Sequence, residues 1–218
     1  MPGGKPAVRS RCWKSIRSAM PRDSAAARAR LNAVVETSTA TTVHPRSASH
    51  IASAPSPQPR SSARVPFSSP LKRAHDTAKA AADALGLTVE IDDDLIETDF
   101  GEWEGLTFPE AAKRHPEVHG RWLRDTSLQP PGGESFDEVQ HRVQRARDRI
   151  IVDHGPGTVL VVSHVTPIKT LLRLALGAGP SILHRLHLDL ASLSIAEFYP
   201  DDGASVRLVN DTSYLGRT

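Results

Sequence analysis

One cysteine, Cys12, in 218 residues excludes an internal disulfide framework and fits a reducing compartment. No apolar run approaches the roughly 18–20 residues that a membrane-spanning helix needs. No apolar segment of secretory type follows Met1 either. A cytoplasmic protein with no membrane partner is the expectation. Glycine is absent between Gly4 and Gly86, so the usual residue of tight turns and helix caps is missing there. Acids are scarce in the same region. Residues 1–66 carry 11 Lys/Arg and two Asp/Glu, so residues 67–218 are acidic by seven units although the whole chain is only +2.

Ala, Arg, Ser and Pro supply 40 of the first 66 residues, a composition that cannot easily build a core. Val34-Val35 is the only adjacent pair of large aliphatics there. A helix over Ala25–Val35 is the one element the pattern permits, and residues 1–66 are expected to be mostly disordered. Three origins compete. Arg- and Ser-rich, acid-poor sequence matches a transit peptide. A basic arm binds nucleic acid through phosphates, but Trp13 is its one aromatic and no reading element is present, so nucleic acid is a poor candidate partner. A GC-rich gene read out of frame, or started at the wrong codon, also gives such a composition.

The character changes at Pro66. Ser69-Pro70 reads as an N-cap with proline at the first helical position. Leu71, Ala74, Ala78, Ala81 and Leu85 then keep helical spacing up to Gly86. Arg73 falls in the first turn, where a cation is unfavourable by a few tenths of a kcal/mol unless an anion sits there. Taken alone it reads as an exposed arginine. Thr88–Ile91 reads as a short strand, and Asp92-Asp93-Asp94 as a solvated turn, since three adjacent acids point different ways. The next segment, Leu95 to Gly105, mixes carboxylates with Phe100 and Trp103. A carboxyl beside aromatic surface holds its proton more readily, as a general acid must. Glu97, Asp99, Glu102 and Glu104 all qualify on chemistry.

Thr107-x-x-Glu110 and Ser135-x-x-Glu138 are capping boxes. The second opens a helix on which Phe136, Val139, Val143, Ala146 and Ile150 alternate spacings of three and four. Its Arg142, Arg145, Arg147 and Arg149 read as a solvated face. Trp122 and Leu123 are expected to pack a second short helix over the site. Strands are expected at Leu186–Leu190, Leu193–Tyr199 and Val206–Val209, the last two joined by a turn at Asp201-Asp202-Gly203. His184 and His187 read as structural, because no acid or cysteine recurs at ligand spacing.

Everything chemical can be arranged around Thr158–Gly177. Val159–Val162 is apolar on both faces and suits a central strand covered on both sides. Thr166 is placed to cap a helix with Pro167 at its first position, an apolar stripe of Ile168, Leu171, Leu172 and Ala175, and Gly177 at its end. His164 therefore lies at the carboxyl end of a buried strand and before a helix N-terminus, where open α/β sheets bind anions. A histidine there serves as a general base, a phosphate ligand or a core residue bonded to a carbonyl, and this stretch alone does not choose.

Ser68-Ser69-Pro70-Leu71-Lys72-Arg73-Ala74, Leu95-x-Glu97-x-x-Phe100-Gly101-x-Trp103-Glu104-Gly105, Gly132-Gly133-Glu134-Ser135 and Val162-Ser163-His164 together resemble, in matching order, the histidine phosphatase (phosphoglycerate mutase-like) superfamily. More closely, the segment is similar to the C-terminal phosphatase half of two-domain ribonuclease H–acid phosphatase proteins, related to α-ribazole phosphatase. The resemblance covers residues 67–218. It implies a three-layer α/β/α fold with a mostly parallel sheet, and hydrolysis of small phosphorylated metabolites with no metal or cofactor. It gives Arg73 the role of phosphate-binding cation, Glu97 that of proton donor to the leaving group, and His164 that of a histidine bonded to the phosphoryl oxygens. Val165 departs from the glycine often found after that histidine. The short interval from Gly105 to Gly132 resembles the phosphatases more than the mutases. The family's nucleophile is another histidine, in an Arg-His-Gly motif after the first strand, and these 218 residues contain no such motif. His44 and His50, the histidines upstream of Arg73, lack that context. A frame error rejoining near Phe67 accounts for both the composition and the missing nucleophile. The expectation is a sheet with its N-terminal strand missing or replaced, with an unfilled place where it is lost, and a site that is inactive as it stands, or one that binds phosphorylated ligands without catalysis.

Overall fold

The computed structural model describes residues 32–37, 63–154, 157–199 and 202–215. Trp13, His44 and His50 lie outside them. A six-stranded sheet is built from β1 (Asn32–Thr37), β2 (Ala63–Ser68), β3 (Glu90–Ile91), β4 (Gly157–Val162), β5 (Ser192–Phe198) and β6 (Ala204–Asp211), in the order β3-β2-β4-β1-β5-β6. The β2–β3, β2–β4 and β1–β5 pairings are parallel; β1–β4 and β5–β6 are antiparallel.

Alternation along β4 explains the three layers. Val159 and Val161 face a core shared with α4 (Phe136–His154) and α5 (Val165–Leu176), through Val139, Val143, Ile168 and Leu172. Leu160 and Val162 face the other way, onto Ala74, Ala78 and Ala81 of α1 (Lys72–Leu85). Side chains alternate with period two along a strand, so an all-apolar run must be covered on both faces. Two short helices, α2 (Phe108–Arg114) and α3 (Pro116–Trp122), sit apart from the sheet around a ring cluster of Trp103, Trp122 and Phe136. A single turn, α6 (Ile182–Arg185), adds Leu183 to that cluster.

Several expectations need correction. The sheet has no unfilled place: β1 lies between β4 and β5. A slot bounded by two strands offers hydrogen bonds on both edges, and Val-Val-Glu-Thr is a β-favouring run. The part of the expected Ala25–Val35 helix that falls on described residues, Asn32–Val35, is strand accordingly. Regular structure also lies before residue 67, since β1 and most of β2 fall there. The expected strand at Leu186–Leu190 does not form. β5 is already paired on both sides, by β1 and β6, so no edge remains for it there. Both capping boxes are present. Thr107 N–H donates to Glu110 at 2.7 Å, and Ser135 N–H to Glu138 at 2.7 Å with Glu138 N–H returning to Ser135 Oγ at 3.2 Å. No helix among the described residues is long and apolar enough to cross a membrane.

Candidate active site

β4 leads into Ser163 and His164, both fully buried. His164 is itself the N-cap residue of α5, two residues before the expected cap, and its carbonyl accepts from Ile168 N–H at 3.1 Å. The side chain is thus fixed where the strand stops and the first turn of α5 begins. One imidazole nitrogen, Nε2, is 2.7 Å from Ser69 Oγ. The other, Nδ1, is buried with no partner among the described residues.

Ser69 in turn explains why α1 starts late. Its hydroxyl accepts from Leu71 N–H at 3.3 Å while meeting His164, so it ties a tight turn to the site rather than capping the helix. Leu71 becomes the N-cap, and the helix opens at Lys72. Arg73 is then the second residue of α1. Its side chain is exposed, and its charge reaches His164.

Glu97 comes to the same place from the segment after β3. Glu97 Oε1 accepts from Thr98 N–H at 2.9 Å and from Thr166 N–H, in the first turn of α5, at 3.3 Å. Of the four carboxylates that chemistry allowed, Glu97 is the one joined to the N-terminus of α5. Asp99 accepts from Gly101 N–H, Glu104 accepts from Phe100 N–H, and Glu102 pairs with Arg114 and His115 at the surface. Glu97 and His164 therefore meet at one helix end, and the charge of Arg73 is felt by His164.

The arginines of α4 are not a plain solvated face. Arg142 is only 8% exposed. It forms a two-point pair with Glu134, at 3.0 and 2.7 Å, and its Nη1 donates to the carbonyls of Asp94 and Ile96 at 2.8 and 2.7 Å. Ser163 Oγ donates to the carbonyl between them, Leu95 O, at 2.6 Å. Three successive carbonyls ahead of Glu97 are thereby held. Arg145 and Arg149 bind Asp94, and Arg149 also binds Asp92, so that turn is an ion-pair network rather than a solvated one. Burial raises the Asp94 carboxyl, but the hydrogen bonds from Arg149 and Arg145 outweigh it and hold the group below its ordinary range. Spacing contained the signal for Arg142, which lies three residues after Val139 and four before Ala146, on the apolar stripe. Trp122 does pack in the ring cluster as expected, but Leu123 is 43% exposed and does not. His184 contacts Trp122 and Phe136 edge-on at 5.8 and 5.7 Å, and His187 is an exposed partner of Asp189.

Burial, helped by the charges of Arg73 and Arg142, pushes His164 down from 6.5 to about 4. Above pH 6.5 folded and unfolded chains both hold it neutral, so it makes no difference to stability. Between pH 6.5 and 4 the unfolded chain takes up a proton that the folded chain refuses, and stability falls with pH. Integrated to pH 4 the loss is about 3 kcal/mol. Urea unfolding at pH 7.5 and 4.5 should show a larger loss for wild type than for His164→Asn, and equal losses would contradict the assignment.

Comparison with known proteins gives a consistent picture. The model of the histidine phosphatase superfamily (branch 1) matches residues 48–212. A Mycobacterium tuberculosis protein described as bifunctional is 72% identical over 148 residues, 68% of this chain and 41% of that protein. The chain thus spans about two fifths of that curated relative. Phosphoserine phosphatase 1 of Hydrogenobacter thermophilus is 34% identical over 153 residues, 70% of this chain and 72% of that one. Among solved structures, α-ribazole phosphatase from Shigella flexneri superposes with a TM-score of 0.60 at 25% identity, covering 69% of this chain and 75% of its own. With its sheet order, its helix layers and these matches, the chain belongs to the histidine phosphatase superfamily.

Proposed function

We propose that the site is the phosphoryl pocket of a phosphomonoester hydrolase acting on small phosphorylated metabolites, and that these 218 residues hold a phosphate there without turning it over. The observation that carries this reading is His164: fully buried, with Nδ1 lacking a partner among the described residues, at the mouth of α5 and under the charge of Arg73. Arg73 supplies an exposed cation, and His164 at the start of α5 supplies a fixed polar group for equatorial phosphoryl oxygens. Such groups stabilise an in-line transfer by charge alone. Glu97, beside the same helix end, is placed to give a proton to the departing oxygen. Phosphohistidine chemistry needs a nucleophile as well. The Arg-His-Gly histidine is not in the sequence, and losing a covalent nucleophile commonly costs several orders of magnitude that helper groups do not restore. The match to two fifths of a relative described as bifunctional supports reading this chain as kin to the phosphatase half of a ribonuclease H fusion.

The test is to assay the purified chain on p-nitrophenyl phosphate beside Arg73→Ala and His164→Ala, with thermal unfolding in inorganic phosphate run in parallel. The expected result is phosphate-dependent stabilisation, lost in both variants, with no turnover above buffer. Turnover abolished by both substitutions would show a working enzyme and overturn the inactivity. Neither turnover nor stabilisation would overturn the pocket itself.

A further inference from the structure

We propose that Lys169, with the ring of His184 beside it, forms a subsite next to Glu97 that takes a carboxylate carried by the alcohol part of the phosphomonoester. The inference rests on the phosphoryl pocket described above and concerns the other end of the ligand.

Lys169 lies on α5 three residues after Thr166, hence on the same face of the helix. Helical side chains lean toward the N-terminus of their helix, so Lys169 leans toward the end where Thr166 N–H meets Glu97 at 3.3 Å. Its Nζ donates to Leu183 O of α6 at 2.9 Å, its one hydrogen bond to a described residue. An ammonium has three donors, so two remain for a ligand. The next residue of α6, His184, is close enough to feel the Lys169 charge, and Trp122 and Phe136 back its ring. Glu97 acts on Lys169 through charge, but no hydrogen bond joins the two. Lys169 is therefore a half-buried cation anchored on one neutral carbonyl, an arrangement that costs free energy unless an anion completes it. Burial indeed holds the ammonium below its ordinary range.

Position and charge set the ligand class. Glu97 touches the phosphoryl end and is felt by Lys169, so a leaving oxygen at Glu97 directs the rest of the alcohol along α5 toward Lys169 and α6. One ammonium, with a carboxylate already nearby, balances a singly charged group better than a phosphate dianion.

Calorimetric titration of the full chain with inorganic phosphate, glycerol 3-phosphate and 3-phosphoglycerate tests this, because the last two differ by a carboxylate in place of a hydroxymethyl group. Wild type should bind 3-phosphoglycerate about tenfold or more tightly than glycerol 3-phosphate. Lys169→Met should bring that ratio to near unity while leaving inorganic phosphate affinity within about twofold. That unchanged affinity also shows that the variant has folded. Lys169→Arg should keep the preference. Phosphate binding with no preference in wild type, or a preference that survives Lys169→Met, would overturn the subsite and leave the phosphoryl pocket standing. No binding of inorganic phosphate would remove the pocket and the subsite with it.

Discussion

Arg142→Met should destabilise the chain by about 3–5 kcal/mol, the range for breaking a buried ion pair from one side. The loss has three parts. Glu134 keeps a half-buried negative charge without its ion-pair partner. The carbonyls of Asp94 and Ile96 lose donors that sit at 2.8 and 2.7 Å. The segment leading to Glu97 also loses its most buried tie to α4, leaving Ser163 on Leu95 O as the remaining hold on those three carbonyls while Arg145 and Arg149 still pair with the side chains of Asp92 and Asp94. Urea denaturation at neutral pH measures the effect. Adding Glu134→Gln should recover part of it, because the uncompensated charge goes. Arg145→Met removes an arginine from the same helix at a site with 60% side-chain exposure, and should cost no more than about 1 kcal/mol. Similar losses for Arg142 and Arg145 would mean that Arg142 is no clamp. Glu97 has no other anchor of this strength before it, so its position at the mouth of α5 should also depend on Arg142. Weaker phosphate-dependent stabilisation in Arg142→Met, measured where the variant is still folded, would show this.

Legibility followed local chemistry. The unit formed by β4, His164 and α5 could be read because an aliphatic run, a Thr166-Pro167 helix start that falls only two residues late, and a closing Gly177 all act within a few residues of one another. The capping boxes and the apolar stripe of α4 were legible for the same reason. Long-range partnerships were not. Ser69 has the sequence of a helix cap, and only the arrival of His164, 95 residues away, diverts its hydroxyl. Arg142 looked like a surface residue because charge suggests solvent, whereas its partners come from the turn at Asp94–Ile96 and the loop at Glu134. Lys169 sits amid the apolar residues of α5, and its relation to Glu97 depends on a loop packed against that helix. β1 is the opposite case. Its β-favouring residues make too short a run, set in Ala/Arg/Ser-rich sequence, to be read as strand, and the open positions beside β4 and β5 decide the matter.

Gly101→Ala should cost about 4 kcal/mol or prevent folding, and Gly105→Ala about 1 kcal/mol, although both glycines have left-handed φ, +53° and +74°. Strain from a positive φ is common to the two. Space separates them. A Cβ on Gly101 would come within 2.3 Å of Pro131 O and 2.5 Å of Gly133 N, whereas one on Gly105 would meet nothing within 4 Å. Backbone cannot swing aside as a side chain can. The two segments are joined there by Glu102 N–H to Pro131 O and Glu134 N–H to Asp99 O, each 2.9 Å. Gly133 is confined from the other side, since its Cβ would lie 2.4 Å from Asp99 O. The Phe-Gly and Gly-Gly pairs are therefore halves of one contact that brings two backbones together without side chains between them. That contact delivers Glu134 to Arg142, and through Arg142 it fixes the carbonyls ahead of Glu97. Thermal unfolding of the two alanine variants measures the difference. Equal midpoints would mean that strain alone matters and that the close approach has no part in positioning the site.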